Sequence, residues 1–247
     1  MTSTARATLM LAAANLAVYF VILGAWLSRG VFPELTATLT DQLALSPSVP
    51  PLATHPWRLL TYMFTHLSFV HLTVNMLWLI GFGPMIKGSA IHTVAAYIAG
   101  GICGAFAFIL CQSTGTVEQT DLAGASAAVL SVVTATATLS PKRRLKMLLI
   151  GEVKLIWVAL TAMMTLLAGY GGLTPVTAAH IAGAMAGLTL GFSLRHHHQA
   201  AIRKGMETAR RHTRRLSLIH KAAQSGFTSL SEPERLELFD LQAQQRD

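Results

Sequence analysis

Charge is scarce in this chain. Only 12% of its 247 residues are Asp, Glu, Lys or Arg, about half the ~25% of an ordinary soluble domain. With 52% hydrophobic residues and a mean hydropathy of +0.50, that scarcity excludes a disordered chain. Cysteine is nearly absent, and two thiols exclude a disulfide scaffold. Carboxylates are few as well: Met1–Leu194 holds five Asp/Glu against nine Lys/Arg, and Arg195–Asp247 six against ten. Half of the net +8 therefore belongs to a short tail. The rest is an apolar body, which sets aside nucleic acid as the reason for the basic balance.

What is abundant is long apolar runs. Six stretches approach the roughly 17–25 residues that a helix needs to cross ~30 Å of hydrocarbon: 9–27, 67–83 (with a possible start at Leu59), 91–111, 122–139, 153–170 and 176–194. The first is read as retained, because no small-x-small cleavage site follows it. Alternate gaps carry Arg6, then Lys87, then Lys142, Arg143, Arg144 and Lys146, then the tail from Arg195. The positive-inside rule places those gaps and both termini in the cytoplasm. The expected fold is all-α, a six-helix polytopic bundle over 1–194 with a cytoplasmic tail over 195–247.

Two loops and the tail have their own character. The Pro-rich stretch 28–56 predicts a structured external loop lying on or partly in the outer leaflet. The uncharged glycine-rich stretch 169–177 suits a mobile cap. Residues 195–221 carry eight Lys/Arg against Glu207 and can contact anionic lipid, although a solvated, topology-fixing tail is the blander reading. Residues 214–224 read as a short helix stopped at Ser225-Gly226. Ser231-Glu232-Pro233-Glu234 has the form of a capping box ahead of Leu236, Leu238 and Phe239, which predicts a small helix-turn-helix. No nucleic-acid motif accompanies it, and His196–His198 has no partner ligands at metal spacing.

Polar groups within hydrocarbon are functional candidates by default. His66 lies at the mouth of the second segment, His71 and Asn75 lie within it, Ser126 in the fourth and His180 in the sixth. Each alone has a bland reading as helix glue. Counting 1.5 Å per residue from the segment ends places His71, Asn75, Ser126 and His180 roughly 6–16 Å below the outer surface. His71 and Asn75, four apart, share a helix face. A hydroxyl, an imidazole and converging donors are the parts of an acyl-transfer site. No Asp or Glu lies in the sixth segment or near its outer end, so the expectation is a Ser–His dyad rather than a triad. Gly183, Gly187 and Gly191 form a small-xxx-small stripe that lets the sixth helix approach the fourth.

These residues resemble the rhomboid intramembrane serine proteases over roughly 56–191. The resemblance rests on Trp57-Arg58, on His66, His71 and Asn75-Met76, on Gly124-Ala125-Ser126, and on Ala179-His180-Ile181-Ala182-Gly183 with Gly187. It implies Ser126 as nucleophile and His180 as base. It also implies an oxyanion hole from His71, Asn75 and the Ser126 backbone N–H, with His66, Gly124, Gly183, Gly187, Trp57 and Arg58 in support. The implied reaction is hydrolysis of a peptide bond in or near a transmembrane helix of a membrane-protein substrate, with no metal or cofactor. Gly151–Leu155 and Ser225-Gly226-Phe227 are similar to a bacterial subgroup, which implies a bacterial inner membrane. Two positions depart from the family pattern: Ala127 stands where Gly is usual, and Leu130 where Tyr or Phe is common. The alternatives are a catalytically weak or inactive relative that binds transmembrane helices as an adaptor, and a transporter. The last lacks a mid-membrane carboxylate and any repeat relating its halves.

Overall fold

The structure, a computed structural model, describes residues 1–46, 49–114, 120–147, 151–167 and 174–243. Its contacts divide into two compact units, Met1–Leu194 and Arg195–Asp247. In chain order the elements are α1 (Ser3–Leu27), α2 (Leu35–Leu43), α3 (Val49–Thr54), α4 (Arg58–Thr61), α5 (Phe69–Phe82), α6 (Ala90–Gln112), α7 (Ser126–Leu139), β1 (Arg144–Met147), β2 (Gly151–Lys154), α8 (Leu155–Leu167), α9 (Pro175–Ser225) and α10 (Glu232–Ala243). Single 3-10 turns fill Tyr62–Phe64, Gly83–Met85 and Phe227–Ser229.

Among the described residues, α1, α6 and α9 are long and apolar enough to cross a membrane by length and composition. A fourth candidate is broken: Arg58–Phe64 and Phe69–Met85 meet at 94°. The apolar run expected over 67–83, with a start as early as Leu59 left open, therefore supplies a helix only from Phe69, and the residues from Arg58 form a separate arm. The break is fixed by Ser68, whose extended backbone caps α5 while its hydroxyl accepts from the His71 N–H at 3.5 Å. The turn before it is tied down by two phenols. Tyr62 donates to the Gly101 carbonyl at 2.6 Å and Tyr97 to the Met63 carbonyl at 2.9 Å, with Asn15 of α1 donating to Tyr97 at 3.0 Å. Such bonds are what permit non-helical backbone at membrane depth.

The core of the first unit is α7. All fourteen of its residues are buried, and it starts at Ser126 rather than at Leu122. At 1.5 Å per residue it is about 21 Å long, short of a ~30 Å core. A helix enclosed on every side can be surrounded closely only if its own residues and its neighbours' are small, and α7 is built from Ala, Ser, Thr and Val with two Leu. Threonine hydroxyls bond back to the helix, Thr136 to Val132 O and Thr138 to Thr134 O, both at 2.7 Å. The Thr134 hydroxyl also reaches the Ala184 carbonyl on α9 at 2.8 Å. Glycines admit the neighbours: a Cβ on Gly183 or Gly187 would lie 2.3 Å from the Ala127 carbonyl or 2.1 Å from that of Ser131. From α6, a Cβ on Gly100 would lie 2.2 Å from the Ser131 Cβ.

Three expectations need correction. The fold is mostly helical, as expected, but the charged stretch before the fifth apolar run is not loop: β1 and β2 pair antiparallel, Arg144 opposite Lys154 and Met147 opposite Gly151. Paired Leu145 and Val153 both pack on the core, and Arg144 and Glu152 lie 3.7 Å apart. The fifth apolar helix accordingly begins at Leu155. Finally, the sixth helix does not stop at 194. α9 continues to Ser225, because residues 195–225 contain strong helix formers and a single Gly, and helix propensity takes no account of a change from apolar to charged sequence. The glycine-rich stretch expected as a cap falls largely outside the described residues.

In the second unit the expected capping box is present in its reciprocal half: the Ser231 N–H donates to the Glu234 carboxylate at 2.9 Å. Leu218, Leu230 and Leu238 form its small core, while Leu236 and Phe239 remain exposed. Lys221 and Glu234 pair at 2.7 Å, and Arg214 and Glu237 at 3.0 Å.

Two outcomes follow from this packing. Gly187→Val forces a side chain into the α7 backbone and should destabilise the protein by ~1–3 kcal/mol or more. Gly24→Ala in α1, where nothing lies within 4 Å, should leave the thermal midpoint unchanged or raised. In the second unit, Lys221 and then the Ser231 N–H hold the Glu234 carboxyl down at about 2, against 4.5 ordinarily. A depressed carboxyl contributes stability above its unfolded value and loses it as pH falls through the folded one. Amide exchange at Leu230 and Leu238 should therefore quicken between about pH 4.5 and 2, and Glu234→Gln should remove that dependence.

Candidate active site

Ser126 is the first residue of α7, so its backbone N–H belongs to the orphan donors of a helix start. The segment before it is anchored at three points. Leu122 exchanges both backbone hydrogen bonds with Leu45, at 2.9 and 3.0 Å. The Gly124 N–H donates to the Tyr62 carbonyl at 2.9 Å, and the Ala125 N–H donates to His66 Nε2 at 3.3 Å. A backbone N–H can only donate and a carbonyl can only accept. With Nδ1 lying 3.4 Å from the Phe64 carbonyl, His66 is thereby assigned the tautomer with its proton on Nδ1.

Gly124 cannot be another residue. Its φ is +126°, and a Cβ there would lie 2.5 Å from His71 Cε1, so the His71 ring rests against the turn that presents Ser126. His66 and His71 meet edge to face with centroids 5.2 Å apart. One turn along α5, Asn75 is fully buried, with Nδ2 donating to the His71 carbonyl at 2.9 Å. Its Oδ1 has no hydrogen-bond partner among the described residues.

His180 comes from α9, three residues before Gly183. The Gly183 approach to the Ala127 backbone sets the separation of α9 from α7. Ser126 Oγ and His180 Nε2 lie 2.5 Å apart, and both residues are buried. A hydroxyl bonded to an imidazole in a water-poor interior is able to transfer its proton and act as a nucleophile.

The two departures from the expected motif are accommodated by packing. The Ala127 methyl faces Gly104 of α6, where a Cβ would lie 2.7 Å from it. Leu130 is buried beside Ala184, with Val74, Trp78 and Met163 around it.

Trp57 and Arg58 do not reach the serine–histidine pair. Trp57 Nε1 donates to the Gln42 carbonyl at 3.0 Å and Thr61 to that of Leu43 at 2.8 Å. Arg58, 3% exposed, pairs with Asp41 at 3.0 Å. Burial first, then the nearby Asp41, push the Asp121 carboxyl up, and Arg58 opposes them. These contacts fasten α2 to the start of the broken span, and through Leu45 to the segment leading to Ser126. The sequence reading missed Tyr62, whose carbonyl holds Gly124 and whose phenol ties down α6. The one available signal was a phenol in an apolar run four residues before His66. Among the described residues, no three or more His, Cys, Asp or Glu are grouped to hold a metal ion.

A chain of apolar helices with a buried serine–histidine pair between two of them belongs in a membrane. A family model described as a rhomboid domain matches residues 53–197, more than half of the 247. The chain belongs to the rhomboid family and is an integral membrane protein. A comparison with curated proteins finds no match.

The Ala125–His66 bond gives a direct check. His66→Ala leaves a buried N–H without an acceptor, a loss of about 1–3 kcal/mol, and should lower the unfolding midpoint and speed amide exchange at Ala125. His66→Gln, which keeps an acceptor and a donor, should recover part of both. Unchanged exchange in His66→Ala would show that the bond does not hold the turn.

Proposed function

We propose that this protein is an intramembrane serine endopeptidase that hydrolyses peptide bonds in or near the transmembrane helices of membrane-protein substrates. The observation that carries this reading is the hydrogen bond between Ser126 Oγ and His180 Nε2, made between two helices in a chain of this family. Ser126 is the nucleophile: its hydroxyl proton passes to His180 Nε2 as Oγ attacks the scissile carbonyl carbon. The resulting oxyanion is received by the Ser126 backbone N–H, His71 and Asn75. The tetrahedral intermediate collapses, His180 gives its proton to the leaving amine, and the C–N bond breaks. Water, deprotonated in turn by His180, then attacks the acyl-enzyme and releases Ser126 with a new carboxylate.

Several features support the assignment. His71 rests on the Gly124 turn, and Asn75 lies one helical turn away on the same face. The Ser126 amide stands at a helix N-terminus, where partial positive charge favours a developing anion. His66 and Gly124 position the turn, and Gly183 and Gly187 set the helix spacing. Trp57 and Arg58 fix the loop leading into the broken span. In the same reading the 1–194 unit crosses a bacterial inner membrane six times, with both termini cytoplasmic and the site in its outer part. Substrate and water enter past α8 and the glycine-rich stretch before α9, and the basic tail lies against anionic lipid headgroups.

Purified protein in liposomes with a model transmembrane substrate tests the chemistry. Wild type should cleave, and Ser126→Ala and His180→Ala should lose at least ~100-fold in kcat, the lower range for removing a positioned base. Cleavage by Ser126→Ala at the wild-type rate would overturn the assignment. A folded wild type that neither cleaves nor reacts with a serine-directed fluorophosphonate would favour a helix-binding adaptor instead.

A further inference from the structure

Away from Ser126 and His180, an apolar groove runs along the first half of α1. One section encloses about 470 Å³ between Arg6, Met10 and Ala14 of α1 and Phe64 and Val94 opposite. A second section of about 250 Å³ shares Ala14 and Phe64 with the first and continues to Val18. The walls are apolar except for Ser3 and Arg6 at one end and Thr61 at the other.

Length and charge say what fits it. From Arg6 to Val18 is twelve helical residues, ~18 Å at 1.5 Å each, close to the ~15 Å depth of one leaflet of a ~30 Å core. Residues 1–8 and 83–94 flank the Arg6 end. They are held together by a Thr4 hydroxyl donating to the Pro84 carbonyl at 3.3 Å. These two segments contain Arg6, Lys87 and His92 and no carboxylate. Among the described residues Arg6 makes no ion pair. A trough one leaflet deep, apolar along its length and cationic at its mouth, matches a single phospholipid: acyl chain in the trough, phosphate at the guanidinium.

We propose that this groove binds one anionic phospholipid, with Arg6 holding the headgroup and an acyl chain lying between α1 and α6 near the mouth and then between α1 and Leu43, Thr61 and Phe64 as far as Val18. Under the orientation proposed above, the lipid comes from the cytoplasmic leaflet. A basic pocket between transmembrane helices at that face is the usual form of an anionic-lipid site. A zwitterionic headgroup brings its own ammonium, which competes with Arg6 for the phosphate and weakens the bond. Because the lipid binds the folded chain, it raises stability by mass action.

The test uses full-length protein in mild detergent, titrated with phosphatidylglycerol or phosphatidylcholine and read by native mass spectrometry and thermal unfolding. Wild type should retain one phosphatidylglycerol per chain, with at least about a fivefold preference over phosphatidylcholine, equivalent to ~1 kcal/mol. Arg6→Gln should bring the preference close to one. Ala14→Trp, at an exposed position where the two sections meet, should fill the trough without disturbing the core and abolish retention of both lipids. If wild type shows no preference, or Ala14→Trp retains lipid as wild type does, the proposal fails. It also fails if the preference persists in Arg6→Gln, since the headgroup is then held elsewhere, with the basic tail as the obvious place.

Discussion

The constraint on which this molecule depends is the enclosure of α7. A helix buried on all sides brings its neighbours within backbone contact only if they lack side chains at the contact. The Gly183 and Gly187 approach to the Ala127 and Ser131 carbonyls meets that requirement from α9, and Gly100 and Gly104 meet it from α6. Because His180 stands three residues before Gly183 on the same helix, the packing distance and the Ser126–His180 distance are one quantity. The geometry of the serine–histidine pair is set by helix spacing. Lipid supplies little hydrophobic drive for association between its helices, so small residues and cross-helix hydrogen bonds have to provide it.

A second layer of order presents Ser126 to its partner. The broken span places Tyr62, His66 and His71 around the turn at Gly124. Each grips a different part: the Gly124 N–H, the Ala125 N–H and the face that a Cβ would occupy. The Asp41–Arg58 pair and the Leu45–Leu122 exchange extend that grip to the segment that follows α1. Ser126 can therefore be the first residue of its helix, with an amide unused by the helix, and still be rigidly placed. That combination is what the proposed oxyanion site requires.

Much of the candidate site was legible because lipid makes polar residues conspicuous. Ser126, His180, His71, Asn75 and His66 stand out in runs of apolar sequence, and the glycine stripe after His180 announces a close helix contact. What escaped reading depends on partners far away in the chain. Leu122 and Ala123 look like helix, yet Leu122 is claimed by Leu45 and Gly124 by the Tyr62 carbonyl and the His71 ring. The 94° break was hidden because residues 59–85 contain no Asp, Glu, Lys or Arg and no Pro or Gly before Gly81, and the ties that hold the bend come from α1 and α6. The hairpin before α8 arises from cross-strand pairing of Leu145 with Val153 within a charged stretch that resembles a loop. The extent of α9 was underestimated for a different reason: the change from apolar to basic at Arg195 is a change of composition, and it does not mark a helix end.

The central claim is that helix packing delivers a serine nucleophile to a histidine base beside a preformed oxyanion site. It is tested most directly by an experimental structure of the protein after reaction with a small fluorophosphonate. The expected result is phosphorus bonded to Ser126 Oγ, with the phosphoryl oxygen within hydrogen-bond distance of the Ser126 N–H and of His71 or Asn75, and His180 still adjacent. An adduct on another side chain, or a phosphoryl oxygen directed away from those donors, would contradict it.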